Sequence, residues 1–173
     1  MAKALSEQLK QYTLDELRAM FQDFEIENEE FVPLYHKGIK TGYKISKYGN
    51  IIGLNKRKLK WTIKDAKRRP EASVSICFHE PDNRVDGYTY KRHYKTLYVH
   101  RLVAEQFLTF PEHLPSSIKD DWDNISDDLK ELLVDCLQVD HLDGNTFNPR
   151  WDNLEWVTPK ENTRRSALAK NNS

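Results

Sequence analysis

Residues 139–169 read VDHLDGNTFNPRWDNLEWVTPKENTRRSALA, and this stretch decides the fold of the C-terminal half of the chain. Leu137–His141 predicts a short strand, and Asp143–Asn145 (DGN) is a turn signal. Leu154–Val157 predicts a second strand after a long loop. The stretch therefore predicts a strand, a long loop, a second strand that pairs with the first, and then a helix.

The start of that helix is marked by three residues. Thr158 predicts the N-cap, Pro159 suits the first helical position, and Glu161 places a carboxylate at the third. This cap puts Asn162 at the fourth helical position, from which its side chain is expected to point back toward Asp140 on the strand pair.

Four polar side chains of this stretch form the candidate catalytic centre. Asp140 and Asn162 offer oxygen atoms, which Mg²⁺ or Mn²⁺ prefers, and are the candidate metal ligands. His141 lies on the opposite side of the strand and is the candidate general base, because an imidazole with an ordinary pKa near 6.5 accepts a proton near neutral pH. Asn153 is expected to complete the catalytic pair by holding the loop and orienting the imidazole. The set predicts one-metal hydrolysis of a phosphodiester.

The chain divides into three predicted parts of an α+β protein. Residues 1–30 predict an acidic helical segment, and residues 31–98 a basic module of antiparallel strands. Residues 99–173 form the predicted catalytic domain, with an acidic loop and one helix inserted at 109–138.

Local signals refine this division. Thr13–Glu16 predicts a capping box at the start of an N-terminal helix. Turns are predicted at Lys40–Gly42 and Tyr48–Asn50, and further strands at 73–78 and 94–99 with a polar loop between them.

Charge is distributed very unevenly, although the formal net charge is zero. Residues 36–101 carry 17 basic and 5 acidic side chains, a balance of +12. Residues 102–163 carry 4 basic and 14 acidic side chains, a balance of −10. The first segment can neutralise several phosphates of a nucleic acid, and the second, which includes the candidate metal ligands, needs cations nearby.

Composition and segment patterns bound the class of protein. Hydrophobic residues make up 38% and charged residues 31%, which is typical of a globular chain that folds. No apolar run reaches the length of a membrane span or signal peptide, so a cytoplasmic location with no membrane partner is expected. Cys77 and Cys136 are far apart and form no CxxC pair, so neither a structural zinc nor a disulfide is expected.

The stretch resembles the HNH nuclease motif, and most closely the version found in bacteriophage intron-encoded homing endonucleases. The family's Asp-His pair, its loop asparagine and its helical histidine or asparagine fall at Asp140, His141, Asn153 and Asn162. VHRLVAEQF (99–107) resembles the helix that precedes the motif. The resemblance implies a ββα-metal nuclease core and double-stranded DNA as the partner.

GYKISKYGNIIGL (42–54) resembles the small strand module that often accompanies these enzymes and grips DNA. The resemblance implies DNA contacts by five basic residues of this region, Lys44, Lys47, Lys56, Arg57 and Lys58. It also makes Arg101 a candidate phosphate ligand nearer the metal. His100 is open to two interpretations, a core-edge residue at the start of the helix or a support for the catalytic centre. The insertion at 109–138 is longer than the family pattern leads us to expect.

Three functions remain open at this point. The leading one is a metal-dependent DNA endonuclease that nicks or cuts duplex DNA, with a monomer favoured. A nuclease for packaging, restriction or RNA is an enzymatic variant. The non-enzymatic alternative is a catalytically silent HNH-fold protein that binds DNA and regulates.

Overall fold

Along the described part of the chain, one α-helix is followed by six strands, three α-helices, two strands and a last α-helix. The computed structural model describes residues 13–22, 26–64, 71–81 and 90–171. Its helices are α1 (Leu14–Phe21), α2 (Val99–Phe107), α3 (Ser116–Lys119), α4 (Asp127–Cys136) and α5 (Pro159–Asn171). Its strands are β1 (Val32–His36), β2 (Ile39–Ile45), β3 (Ile51–Ile52), β4 (Thr62–Lys64), β5 (Glu71–Pro81), β6 (Tyr90–Tyr98), β7 (Gln138–His141) and β8 (Leu154–Val157). The predicted α+β class, with strand module followed by a ββα unit, is confirmed.

Helix α1 begins with the predicted capping box. The Thr13 backbone N–H donates to Glu16 Oε2 at 2.6 Å, and the Glu16 N–H donates to Thr13 Oγ1 at 3.3 Å. Just after the helix, the buried Gln22 side chain donates to the Leu59 carbonyl at 2.6 Å and accepts from the Trp61 N–H at 3.0 Å. Gln22 thereby fastens the end of this helix to the strand module.

The first sheet has the order β1-β2-β3. Its β1–β2 turn is formed by Lys37 and Gly38, both at positive φ (48° and 76°), the conformation that suits a two-residue hairpin turn. The prediction of a turn at Lys40–Gly42 is wrong, because these residues lie inside β2. Gly42, at φ 81°, sits where the pairing register shifts opposite Leu34, so its backbone freedom serves a bulge.

The second sheet has the order β4-β5-β6 and is longer than predicted. Pairing runs without a break from Ser73 opposite Tyr98 to Pro81 opposite Tyr90. The predicted polar loop at 79–93 is therefore wrong at both ends, because the backbone pairing of β5 and β6 continues into it from both sides; residues 82–89 lie outside the described part. Strand β4, which pairs with β5 over Glu71–Ser73, was not predicted.

The turn at residues 46–50, predicted at Tyr48–Asn50, joins the strand module to the C-terminal half. Gly49 has φ 82°, and a Cβ there would lie 2.7 Å from Pro149 Cγ and 2.8 Å from Val99 Cγ1. The Trp151 N–H donates to the Lys47 carbonyl at 2.9 Å. The two halves share one core, to which the first two sheets, α2 and the β7–β8 hairpin all contribute.

The insertion at 109–138 contains more structure than the predicted loop and single helix. It holds α3, a 3₁₀ turn at Trp122–Asn124, and α4. Phe110 links it to the hairpin, with ring centroids 6.0 Å from Trp122 and 5.4 Å from Trp156. The Trp156 Nε1–H donates to the Leu108 carbonyl at 2.8 Å. Among the described residues, no helix combines the length and apolar character that crossing a membrane requires.

Candidate active site

The β7–β8 hairpin separates the candidate metal ligand from the candidate base. Asp140 pairs with Glu155 and His141 pairs with Leu154 across the two strands. Because side chains of a strand alternate between faces, Asp140 and Glu155 share the face toward α5, and His141 and Leu154 share the opposite, buried face. The predicted placement of Asp140 and His141 on opposite sides of the strand follows directly from this register.

Helix α5 brings Asn162 to the Asp140 face of the hairpin. The Glu161 N–H donates to Thr158 Oγ1 at 3.2 Å, as the predicted N-cap requires. Asn162 Nδ2 donates to Gln138 Oε1 at 2.6 Å. Gln138 lies two residues before Asp140 on β7, so Asn162 faces the predicted side of the strand and contacts the neighbour of the predicted ligand.

The side chain that reaches Asp140 from α5 is Arg165. Its Nη1 lies 3.5 Å from Asp140 Oδ2, and the same nitrogen forms an ion pair with Glu155 Oε1. Its Nε donates to Glu161 Oε1 at 2.8 Å. One guanidinium thus joins three carboxylates beside the hairpin.

These ion pairs shift the ionisation of the helix residues. Hydrogen bonds from Arg164, which has the larger effect, and from Arg165 lower the pKa of Glu161 to about 2. The pKa of Arg165 is raised, first by its bond to Glu155 and then by its bond to Glu161. The Glu161 carboxylate and the Arg165 guanidinium are therefore both charged near neutral pH.

A stack of three rings leads to His141. The imidazole of His141 is 4% exposed and that of His100 is 8% exposed, and their centroids are 4.9 Å apart in an edge-to-face arrangement. The ring of Tyr98 stacks on the ring of His100, with a centroid distance of 5.5 Å. His100 is thus both a core residue and a direct neighbour of His141, and the two interpretations of this residue are compatible.

Asn153 holds the loop between the two strands. Its Nδ2 donates both hydrogens, to Asp143 Oδ1 at 3.0 Å and to the Asn148 carbonyl at 2.9 Å. Its Oδ1 accepts from the Asp143 N–H at 3.1 Å, and its backbone carbonyl accepts from the Leu142 N–H at 2.8 Å. These bonds go to the loop that follows His141, and the orientation of the imidazole by Asn153 stays a prediction.

Arg101, the candidate phosphate ligand, makes internal contacts. Its Nη1 donates to the Leu137 carbonyl at 2.6 Å, and its guanidinium carbon lies 4.7 Å from the centre of the Trp156 ring. Its Nε donates to Glu105 Oε1 at 3.0 Å, and Glu105 Oε2 lies 2.9 Å from His36 Nδ1. Burial raises the pKa of Glu105, but the bonds from His36 and Arg101 outweigh burial and leave it below its ordinary value.

The other candidate DNA-binding side chains lie on the surface of the strand module. All five, Lys44, Lys47, Lys56, Arg57 and Lys58, are exposed. Lys47 Nζ lies 4.8 Å from the centre of the Trp151 ring, beside the loop of the hairpin, and Lys58 Nζ lies 3.5 Å from the Gln22 carbonyl oxygen. The basic surface therefore adjoins the loop that Asn153 holds.

The oxygen donors on the α5 face suit a hard divalent cation. Within the described ranges, no group of three or more histidine, cysteine, aspartate or glutamate side chains is arranged to hold a metal. A Mg²⁺-type ion needs only one or two protein carboxylates when water and substrate phosphate supply the rest of its shell. Asp140 and Asn162 carry oxygen atoms of the type that this smaller share requires.

Sequence reasoning missed three residues of this site, Gln138, Glu155 and Arg165. Arg165 is four residues after Glu161 and three after Asn162, so the helical period alone places it on the same face. Glu155 could have been found only from the β7–β8 register, which the loop length leaves undetermined.

Strands β7 and β8 and helix α5 form a ββα unit, with the Asp-His pair on the first strand and Asn162 on the helix. Residues 130–164 match the family model described as HNH endonuclease, which confirms the predicted HNH motif in this segment. A solved structure entitled "DNA binding and cleavage by the HNH homing endonuclease I-HmuI" is similar, at 25% identity and a TM-score of 0.49. The match covers 82% of this chain and 59% of that chain, so this chain spans about three fifths of its length. A search of curated proteins found no match.

Proposed function

We propose that this protein is a metal-dependent DNA endonuclease of the HNH homing type. The observation that carries the proposal is the HNH match of residues 130–164 together with the arrangement of its polar residues. Asp140 and Asn162 lie on the side of the hairpin that faces α5, and His141 lies beside the loop that Asn153 holds.

In the proposed reaction His141 is the general base. It accepts a proton from a water molecule, whose oxygen bonds to phosphorus as the bond from phosphorus to the 3′ oxygen breaks. Asp140 and Asn162 would hold a divalent cation, Mg²⁺ or Mn²⁺, which when bound polarises the phosphate and stabilises the departing oxygen. Asn153 acts as a positioning residue, because its four bonds fix the loop that follows His141.

Double-stranded DNA is the proposed substrate because of the charge of the strand module. Lys44, Lys56 and Arg57 are exposed on this module, which packs against the hairpin loop through Gly49 and Trp151. Phosphates held by such cations lie along a surface continuous with the catalytic loop. The module would therefore fix the register of the duplex relative to His141.

The test is conversion of supercoiled plasmid by purified protein in Mg²⁺, Mn²⁺ or EDTA. We expect metal-dependent nicking or linearisation by the parent, and a loss of about 100-fold or more in His141→Ala, the range expected for a positioned general base. Binding measured in EDTA should persist in this variant. His113→Ala, at an exposed position of the insertion, is the matched control and should cleave normally.

Parental cleavage by His141→Ala would remove His141 from the role of base. Binding without metal-dependent cleavage, on plasmid DNA, single-stranded DNA and RNA alike, would favour a silent DNA-binding protein. Cleavage confined to RNA would redirect the proposal to a different nucleic acid.

A further inference from the structure

The Asp140 carboxylate on the hairpin has an arginine of helix α5 as its neighbour. Arg165 Nη1 is 3.5 Å from Asp140 Oδ2, and the Arg165 side chain is 35% exposed against 16% for Asp140. The guanidinium is therefore the more exposed partner of this pair.

A second carboxylate, that of Glu155, already pairs with the same guanidinium. Glu155 is the cross-strand partner of Asp140, so both side chains project from one face of the hairpin. Arg165 Nη1 pairs with Glu155, while its Nε remains bonded to Glu161. A small rotation could therefore take the guanidinium off Asp140 and leave two of its ion pairs intact.

The positive charge of Arg165 beside Asp140 disfavours the binding of a metal cation to Asp140. Three carboxylates (Asp140, Glu155, Glu161) and two guanidinium groups (Arg164, Arg165) leave this cluster with a balance of −1. An arginine does not lose its proton in proteins, so only movement of the side chain relieves its repulsion of a divalent cation.

We propose that the Arg165 guanidinium takes the place of the metal cation beside Asp140 in the metal-free protein. This inference rests on the proposed function. The guanidinium contacts Asp140 when no metal is bound, and it leaves Asp140 while keeping its ion pairs with Glu155 and Glu161 when a divalent cation binds Asp140. Arg165 is thus a positioning residue that lowers the metal affinity of the free protein, and Glu155 is the partner that retains the guanidinium when Asp140 releases it.

The experiment compares Arg165→Ala with Arg164→Ala. Both variants remove one positive charge from the same turn of α5, but Arg164 bonds only to Glu161 among the contacts of this cluster. Mn²⁺ is titrated into DNA-free protein by calorimetry, and the thermal shift that Mn²⁺ produces over an EDTA baseline is recorded for each protein.

We expect Arg165→Ala to bind Mn²⁺ about tenfold more tightly than the parent and to show the larger thermal shift. Arg164→Ala should stay within about twofold of the parent. Equal behaviour of the two variants, weaker binding by Arg165→Ala, or no Mn²⁺ response in Arg165→Ala would overturn the proposal.

Glu155→Gln keeps the arginine and provides a variant that does not depend on the folding of Arg165→Ala. With this partner weakened, Arg165 should stay on Asp140, and Mn²⁺ binding should weaken at least threefold. Unchanged or tighter binding would contradict this role of Glu155. These Mn²⁺ titrations contain no DNA, so they test the role of Arg165 separately from cleavage. If the variants bind Mn²⁺ as expected but the parent cleaves no nucleic acid, the proposed function is refuted and the role of Arg165 is not.

Discussion

The imidazole ring of His100 packs edge-on against that of His141, with centroids 4.9 Å apart and planes inclined by 68°. The contact links the start of α2 to the strand that carries the candidate base. Both rings are almost completely buried, so the position of one restricts the other. His100 is therefore a candidate support for the orientation of His141.

Replacing His100 separates packing from hydrogen bonding. We expect His100→Phe to retain most cleavage activity, because the new ring fills the same space. His100→Ala should lose about tenfold, because the cavity beside His141 relaxes its orientation. Cleavage rates at saturating metal, with DNA binding in EDTA as the control, measure the difference. Equal and severe losses in both variants would show that the ring nitrogens of His100 are needed.

Gly49 tests the junction between the strand module and the hairpin. Gly49→Ala should destabilise the protein by at least about 2 kcal/mol, because its Cβ would overlap Pro149 and Val99 at a positive φ. Gly38→Ala is the matched control. Its φ of 76° gives similar backbone strain, but nothing lies within 4 Å of a Cβ there, so it should cost only about 1 kcal/mol. Urea unfolding of the two variants gives both values, and equal costs would argue against a tight junction.

Asn153 should matter for loop stability as well as for cleavage. Asn153→Ala removes two donated bonds and one accepted bond of the side chain, so we expect a loss of about 2–3 kcal/mol and a strong loss of activity. Asn148→Ala removes only the side-chain bond to Asp143 Oδ2 and should cost about 1 kcal/mol. Thermal unfolding and plasmid cleavage of both proteins check the order. Normal cleavage by a folded Asn153→Ala protein would exclude the positioning role.

Glu105 gives a stability difference that depends on pH. Its pKa is below the ordinary value of 4.5, so the charged carboxylate stabilises the folded state. That contribution is complete above about pH 4.5 and is lost as the pH falls through the lower, folded-state pKa. Glu105→Gln should therefore unfold at a lower temperature than the parent at pH 6, with the gap narrowing below pH 4.5.

Glu112→Gln, at an exposed position of the insertion, is the control for Glu105→Gln and should track the parent throughout. A gap for Glu105→Gln that stays constant down to pH 3 would contradict the contribution of the His36–Glu105–Arg101 contacts.

The basic side chains of the strand module predict a salt effect. Replacing Lys44, Lys56 and Arg57 together by alanine should reduce the slope of log affinity against log salt concentration by about 3, since each phosphate contact contributes about 0.9. Stability should change little, because all three are exposed. Lys119→Ala on the insertion should leave the slope unchanged. Binding to a duplex in EDTA at several salt concentrations measures these slopes, and an unchanged slope in the triple variant would place the duplex elsewhere.

Arg101 should behave differently from those cations. Its bonds to the Leu137 carbonyl and Glu105 are internal, so Arg101→Ala should destabilise the protein by about 2 kcal/mol and leave the salt slope unchanged. A reduced slope with unchanged stability would restore Arg101 as a phosphate ligand.

The sequence by itself determined the features that depend on neighbours along the chain. Two helix starts could be predicted, one from Thr13 and the other from Thr158 and Pro159. A cap can be recognised in the sequence because its partners lie within three or four residues of it. Asp140 and His141 fall on opposite faces because alternation is a property of any strand. The DGN turn and the HNH spacing are likewise local, so the core of the candidate site could be predicted.

Only the tertiary structure decided the features that depend on pairing at a distance. Gly42 looks like a turn residue but serves a bulge, because the register of β1 and β2 is set by the turn at Lys37. The register of β7 and β8 puts Glu155 opposite Asp140, and the packing of α5 brings Arg165 to both. Arg101 is a plausible phosphate ligand by charge alone, but its partners at Leu137 and Trp156 lie more than thirty residues away, and long-range packing takes up its side chain.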